Sequence, residues 1–492
     1  MDNIEEMLQK ADYKNVLRYF TELSRVPRGS GFNDKISDYL VAFAKEHGLR
    51  YVQDELKNVV IYKPATPGYE NHTGVILQGH MDMVCVTAEG VEHNFESEPL
   101  ELFVDGDMLG ARGTTLGGDD GIAVAYGMAL LADDTIAHPA LEVVITTDEE
   151  TGMYGAKGLD ASLLSGRFLI NADSEDEGVV LVSCAGGLRV DGSLPLRRTP
   201  ADGTVVSVKL SGLLGGHSGA EIHKYRTNAV YLMARLLFDL KTSAAKQKTD
   251  FMLLSFAGGE KDNAIPSAAQ AEFIIKTEKK GWLQEEMDIL LSRYHKELSG
   301  SEPNLKFAVD ICGNEQKDRM ALHPADFEKL LFLLMQAPDG VQKMSSDIEG
   351  LVESSLNLGI FSVEECRANF HFSIRSSVGS YKYFLRDKLE FLFDFVGGSC
   401  EAGSEYPAWE YRKDSVLREK FTEVFLQFYG REPEIMAIHA GLECGLICEK
   451  IPEMDIVSIG PDMKDIHTPN ERLGITSSVR VYRFLEKLLA AL

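Results

Sequence analysis

No stretch of this sequence approaches the roughly twenty uncharged apolar residues that a membrane-spanning helix needs, and none is expected. The first twenty residues are acidic, with Ile4, Met7, Leu8, Val16, Leu17 and Phe20 spaced for one helical face. They lack the basic start and apolar centre of an export signal, so no secretory route is expected. Positive charge is scarce: 50 Lys and Arg stand against 76 Asp and Glu, a formal charge of -26. Such a surface argues against a nucleic-acid backbone or an anionic membrane as partner and suits small or cationic ligands. The seven cysteines, Cys85, Cys184, Cys312, Cys366, Cys400, Cys444 and Cys448, are odd in number and scattered. Cys444 and Cys448 are four apart, but no second pair completes a zinc-finger spacing. Reduced, mostly buried thiols in a cytoplasmic protein are expected.

The chain has 492 residues, beyond the size at which one hydrophobic core usually stops growing, so two domains are expected. Strand-like runs TGVILQGHMD, LEVVITTDEE and GRFLINADSE alternate with GIAVAYGMALLAD and AKGLDASLL, which read as helices. That alternation predicts an α/β fold, a mixed and mostly parallel sheet with helices on both faces. After about residue 186 the texture changes to two rounds of strands and amphipathic helices, predicting an inserted α+β domain over 187–400. Residues 1–186 and 401–492 would then form the first domain, with KFTEVFLQFYG, EMDIVSIGP and SSVRVYRFLEKLLAAL as helix, strand and terminal helix. No low-complexity linker marks either boundary.

Each early strand ends in acids or histidine, and open α/β sheets bind ligands outside the carboxyl ends of their strands. Five such places stand out: His80 and Asp82 in GHMD, Asp119 and Asp120 in GGDDG, Glu149 and Glu150 in TDEETG, Asp173 in NAD, and His467 in DIHTPNE. Singly each has a plain explanation: a surface His-Asp pair, an aspartate N-cap, an acidic loop, a solvated histidine. Three consecutive acids repel one another, so they need solvent, cations or raised pKa values. Jointly the five supply two histidines and at least three carboxylates on one rim. That set matches zinc chemistry and is enough for two ions sharing a bridging carboxylate. If the strand persisted through Glu149 and Glu150, the two would point to opposite sides.

In this order the motifs GHMDMV, LGGDDGIA, TTDEETGMYGA, NADSEDEG and KDIHTPNE resemble those of the M20 metallopeptidase family. GGHSGAEIH and HAGLECG, with the long insertion between them, resemble its aminoacyl-histidine dipeptidase branch, which implies a catalytic domain over 1–186 and 401–492 and an inserted α+β lid and dimerisation domain over 187–400. The resemblance implies that His80 and Asp173 hold one ion, Glu150 and His467 the other, and that Asp119 bridges both. It implies two divalent ions per subunit, zinc first with manganese or cobalt as alternatives. Asp82 would steady His80, and Glu149 would be the general base. A cis peptide between Asp119 and Asp120 is also implied. The expected reaction is hydrolysis of small dipeptides, Xaa-His types including β-Ala-His, by a homodimer without nucleic-acid or membrane partners. His217 would donate to the oxyanion, while Asn263 and Arg375 would contact substrate, Arg375 gripping its carboxylate. Glu443 could bind the substrate amino group or an imidazolium; its spacing from His439 equally suits a local helix contact. Two other readings remain: a deacylase of N-acyl amino acids on the same site, and a non-catalytic metal-dependent binding protein.

Overall fold

The computed structural model describes residues 4–11 and 13–492; residues 1–3 and 12 of the expected N-terminal helical pattern lie outside them. Two compact units result, 1–183 with 411–437 and 442–492, and 184–410 with 438–441.

The first unit is built on an eight-stranded sheet. Its strands are β1 (Arg50–Gln53), β2 (Val59–Lys63), β3 (Val75–His80), β4 (Leu141–Thr146), β5 (Phe168–Asn171), β6 (Val179–Cys184), β7 (Glu434–Ile438) and β8 (Asp455–Ser458). They lie in the order β1-β2-β4-β3-β5-β8-β6-β7. Parallel pairing joins the four central strands, β4 to β3, β3 to β5 and β5 to β8. The pairs β1–β2, β2–β4 and β8–β6 are antiparallel, so the mixed α/β fold has a parallel centre and antiparallel flanks. β3 and β4 are buried along their whole length, as expected of strands covered on both faces. Successive strand residues point to opposite faces. A Cβ on Gly79 would meet Ala123 and Asp120 of the helix Gly118–Ala132, whereas Gln78 meets Glu443 of the helix Glu443–Lys450. Helices therefore cover both faces. Beyond Asp119 and Asp120 the first of these is apolar all round, and it is buried from Gly118 to Leu131, the pattern of a helix enclosed by the core.

Register explains why distant motifs meet. His80 lies opposite Thr146, Gln78 opposite Asn171, and Ser458 opposite Asn171. The carboxyl ends of β3, β4, β5 and β8 thus form one rim, and the motifs that follow the first three strands share it. His467 comes from a small four-stranded sheet, in the loop between strands Met463–Lys464 and Arg472–Gly474. The stretch AKGLDASLL is not one helix. It divides into a helix ending at Gly158 and a short 3-10 turn, Ala161–Leu163. Asp160 accepts from the backbone N–H of Ser162 at 2.9 Å, an N-cap that starts a new element rather than continuing the old one.

The second unit carries a ten-stranded sheet whose paired strands are antiparallel. Its helices Ala229–Lys246, Lys280–Leu298, Pro324–Gln336 and Gly379–Val396 share one core, in which Leu237, Leu290, Leu330 and Phe393 meet the inward strand residues Leu253, Phe273 and Phe372. The alternate residues Leu254 and Ile274 belong to a separate small cluster, so the helices sit on one face.

Candidate metal centre

His80 closes β3 with its ring fully buried. Its Nδ1 lies 3.1 Å from the Asp82 carbonyl oxygen and 3.5 Å from Asp82 Oδ1, which assigns the ring proton to that nitrogen. Nε2 then presents a lone pair to Asp119 Oδ1 at 3.0 Å and Asp173 Oδ1 at 3.9 Å. Across the site, His467 Nε2 is 3.1 Å from Asp119 Oδ2 and 3.0 Å from Glu150 Oε1. Asp119 therefore offers one oxygen to each histidine. Acceptors facing acceptors at these distances need a cation, or an extra proton, between them. Three overlapping groups can hold metal: His80, Asp119 and Asp173; His80, Glu149 and Glu150; Asp119, Glu150 and His467.

The polypeptide builds this arrangement by tying loop to loop. Gly79 has no side chain where a Cβ would come within 2.4 Å of Asp120 Oδ2, and Asp120 accepts from the His80 backbone N–H at 3.1 Å. The Asp119–Asp120 peptide is cis. Asp82 accepts from the backbone N–H of Glu149 at 3.1 Å and of Glu150 at 3.4 Å, and from Ser30 Oγ at 2.7 Å. It thus links His80 to the acidic turn. That turn is not a continued strand: β4 ends at Thr146, Asp148 is left-handed, and Gly152 and Met153 both donate to the Glu149 carbonyl. The sides taken by Glu149 and Glu150 follow from this turn and not from strand alternation. Asp148 leaves the acidic trio to accept from Gly31 N–H and Asn33 Nδ2.

Two residues without an expected role complete the frame. Glu471 is buried, and its carboxylate accepts from the backbone N–H groups of Leu116, Gly117 and Gly118 at 2.7, 3.0 and 2.7 Å, with Asp119 at 3.4 Å. The loop that presents His467 is thereby bound to the turn that presents Asp119. Arg28 is also buried and donates to the carbonyls of Met81, Asp82 and Gly117. In sequence both look like ordinary loop charges; the one available signal is that the N–H groups of a Gly-Gly turn need acceptors when buried. Every Glu471 contact uses an oxygen as acceptor, so an amide would set an NH2 donor against backbone donors. Glu471→Gln should therefore be no milder than Glu471→Ala, each weakening metal binding about 10- to 100-fold, as calorimetric titration with zinc would measure.

Electrostatics state the same demand as proton affinity. Hydrogen bonds to Asp119 and Glu150 raise His467 to about 10. Burial disfavours charge on His80, yet the hydrogen bonds to Asp119 and Asp82 outweigh it and hold the ring well above the usual histidine range. Burial pushes Glu149 up to about 8, with repulsion from Glu443, Glu150 and Asp119 adding. Burial, then Asp120 and Asp119, raises Asp173 well above the carboxylate range. Asp119 goes the other way: burial opposes its charge, but the hydrogen bonds from His467 and His80 hold it below that range. Divalent cations would displace protons from such a set.

In the second unit, His217 lies in a two-residue strand paired with Ala264–Ile265. Its Nδ1 accepts from Gly219 N–H at 3.2 Å and Ala220 N–H at 3.0 Å, leaving Nε2 as the N–H donor. Burial, then the charge of Arg375, lowers its pKa and keeps it neutral. The Asn263 carbonyl accepts from Ser218 N–H at 2.8 Å. A Cβ on Gly219 would lie 3.0 Å from His217 Cε1 and 3.1 Å from Arg375 Nε, so His217, Asn263 and Arg375 gather around this one turn. His439 Nε2 sits 2.8 Å from Ser355 Oγ, and burial, then Arg375, lowers its pKa to about 3. The helical pairing of His439 with Glu443 does not form, because the helix starts at Glu443 and His439 precedes it in the other unit. Glu443 is fully buried in the first unit, where Oε2 accepts from Gln78 Nε2 at 2.5 Å and Thr146 Oγ1 at 2.6 Å. Burial raises it to about 7.

The chain matches the model of peptidase family M20/M25/M40 over residues 76–491. It is 37% identical over 472 residues to the cytosol non-specific dipeptidase of Escherichia coli, covering 96% of each chain. The crystal structure of aminoacylhistidine dipeptidase from Vibrio alginolyticus superposes with a TM-score of 0.91 at 36% identity, covering 99% of this chain and 98% of the other. The aminopeptidase PepT structure from Bacillus cereus, at 14% identity and a TM-score of 0.54 over 97% and 98% of the two chains, shares the fold. With histidines and carboxylates gathered on the strand-end rim and the family match spanning most of the sequence, this chain belongs to the M20/M25/M40 metallopeptidases and is a peptide-bond hydrolase.

Proposed function

We propose that the chain hydrolyses dipeptides, Xaa-His types including β-Ala-His among them, at a centre of two divalent ions, zinc first with manganese or cobalt as alternatives. The observation that carries this reading is Asp119, whose two oxygens face His80 and His467 at 3.0 and 3.1 Å. His80 and Asp173 would hold one ion, Glu150 and His467 the other, with Asp119 shared. When bound, the ions supply Lewis acidity that lowers the pKa of water and polarises a carbonyl. Glu149 takes the proton of the attacking water on its carboxylate and passes it to the leaving amine; a carboxyl group pushed up toward neutrality suits that exchange. Asp82 keeps the His80 proton on Nδ1 and fixes the backbone of Glu149 and Glu150.

His217, held neutral with Nε2–H free, would donate to the developing oxyanion. Arg375 would bind the substrate carboxylate, since among the described residues no carboxylate pairs with it and its buried Nε has no partner. Asn263 would contact substrate beside them. Glu443 would act on the substrate amino group or an imidazolium through Oε1, which is buried without a partner. We further propose a cytoplasmic homodimer. Among the described residues none of the seven cysteines is in a disulfide, which supports the compartment, and the exposed Phe384, Phe391 and Phe395 on one helix support the association. No helix among the described residues is long and apolar enough to cross a membrane.

A substrate panel tests the reading: β-Ala-His, further Xaa-His dipeptides, dipeptides without histidine, and N-acetyl amino acids. Hydrolysis of the dipeptides with a preference for C-terminal histidine is expected. Equal turnover without histidine would remove the Xaa-His preference, and faster cleavage of the N-acetyl compounds would make the chain a deacylase.

A further inference from the structure

Arg375, Gly187 and Tyr406 lie side by side on three adjacent strands, Arg375 paired with Gly187 and Gly187 with Tyr406. The middle position has no side chain. A Cβ on Gly187 would fall 2.2 Å from the Tyr406 ring, and one on Gly441 would fall 2.6 Å from the ring's other edge. The ring is slotted between these two glycines, lying across Gly187 toward Arg375. Its hydroxyl oxygen accepts from Arg375 Nη1 at 3.0 Å, and Lys382 Nζ fixes its backbone by donating to the Tyr406 carbonyl at 2.9 Å.

A phenol that accepts from a guanidinium still has its own proton to give. Among the described residues Arg375 has no carboxylate partner, and its Nε is buried without an acceptor. Of the neighbouring histidines, His217 receives backbone N–H groups on Nδ1 and keeps Nε2–H for the oxyanion, while His439 meets Ser355 through Nε2 and has no partner on its buried Nδ1. What remains is a guanidinium and an adjoining phenolic O–H with no anion between them.

We propose that the Tyr406 hydroxyl is a second donor to the substrate's C-terminal carboxylate, binding it together with Arg375. This rests on the reading of Arg375 as the carboxylate-binding residue. Each donor meets a different lone pair of the same group, which sets dipeptides with a free C-terminus apart from their amides.

Tyr406→Phe keeps the ring in its slot and removes only the hydroxyl. The test compares wild type, Tyr406→Phe and Arg375→Met on a dipeptide and its C-terminal amide, as KM where turnover occurs and as an inhibition constant where it does not. Tyr406→Phe should raise KM for the free acid about 10- to 100-fold, with kcat nearly unchanged and amide binding at the wild-type value. Equal losses on acid and amide, or no loss on either, would overturn the role of Tyr406. If Arg375→Met loses the distinction between acid and amide while Tyr406→Phe retains it, the Tyr406 inference alone falls. If Arg375→Met retains the distinction, the carboxylate reading beneath it falls as well.

Discussion

Glu149→Gln should lower kcat by about a hundred- to ten-thousandfold, the range for loss of a general base, while metal content stays at the wild-type value. The amide preserves the shape of the side chain and its place in the turn, because the bonds that fix this turn come from the backbone: Glu149 N–H to Asp82, and Gly152 and Met153 N–H to the Glu149 carbonyl. It cannot take a proton. Only the ionised carboxylate acts as base, so activity should fall as pH drops through the Glu149 pKa. That value is about 8 through burial and neighbouring acids and is drawn down when cations adjoin it. Unchanged turnover would remove Glu149 as base. Loss of metal from the variant would instead make it a ligand, which its place in the group with His80 and Glu150 allows.

Asp119→Asn should cost more, because one side chain serves two histidines. The amide retains one acceptor oxygen but carries no charge and turns a donor toward His80 or His467. Loss of an outer partner typically weakens metal binding about 10- to 100-fold; loss of a bridging ligand should exceed that, with activity falling in step. Metal content by mass spectrometry after dialysis, followed by zinc titration, would show it. A variant that keeps both ions at wild-type affinity would contradict the bridge.

Much of this site is legible in the sequence because the fold aligns it simply. Parallel strands in register put their carboxyl ends together, so the residues closing or following β3, β4 and β5 had to share a rim, and acids at three successive strand ends announce it. What escapes has equally physical causes. Glu149 and Glu150 take their sides from a left-handed residue at Asp148, which strand periodicity cannot foresee. His439 and Glu443 have helical spacing, but the helix starts only at Glu443. Glu471 is the largest omission: in sequence it is one more acid in a polar loop after His467, and only the folded chain brings its carboxylate onto the N–H groups of Leu116 to Asp119. Arg28 and Tyr406 escape likewise, since their partners are carbonyls, glycines and an arginine far off in the chain.

The most direct test is a crystal grown with zinc, with anomalous scattering recorded on either side of the zinc absorption edge. Two peaks are predicted, one among His80, Asp119 and Asp173 and one among Asp119, Glu150 and His467. A single peak, or peaks away from Asp119, would contradict the shared two-ion centre.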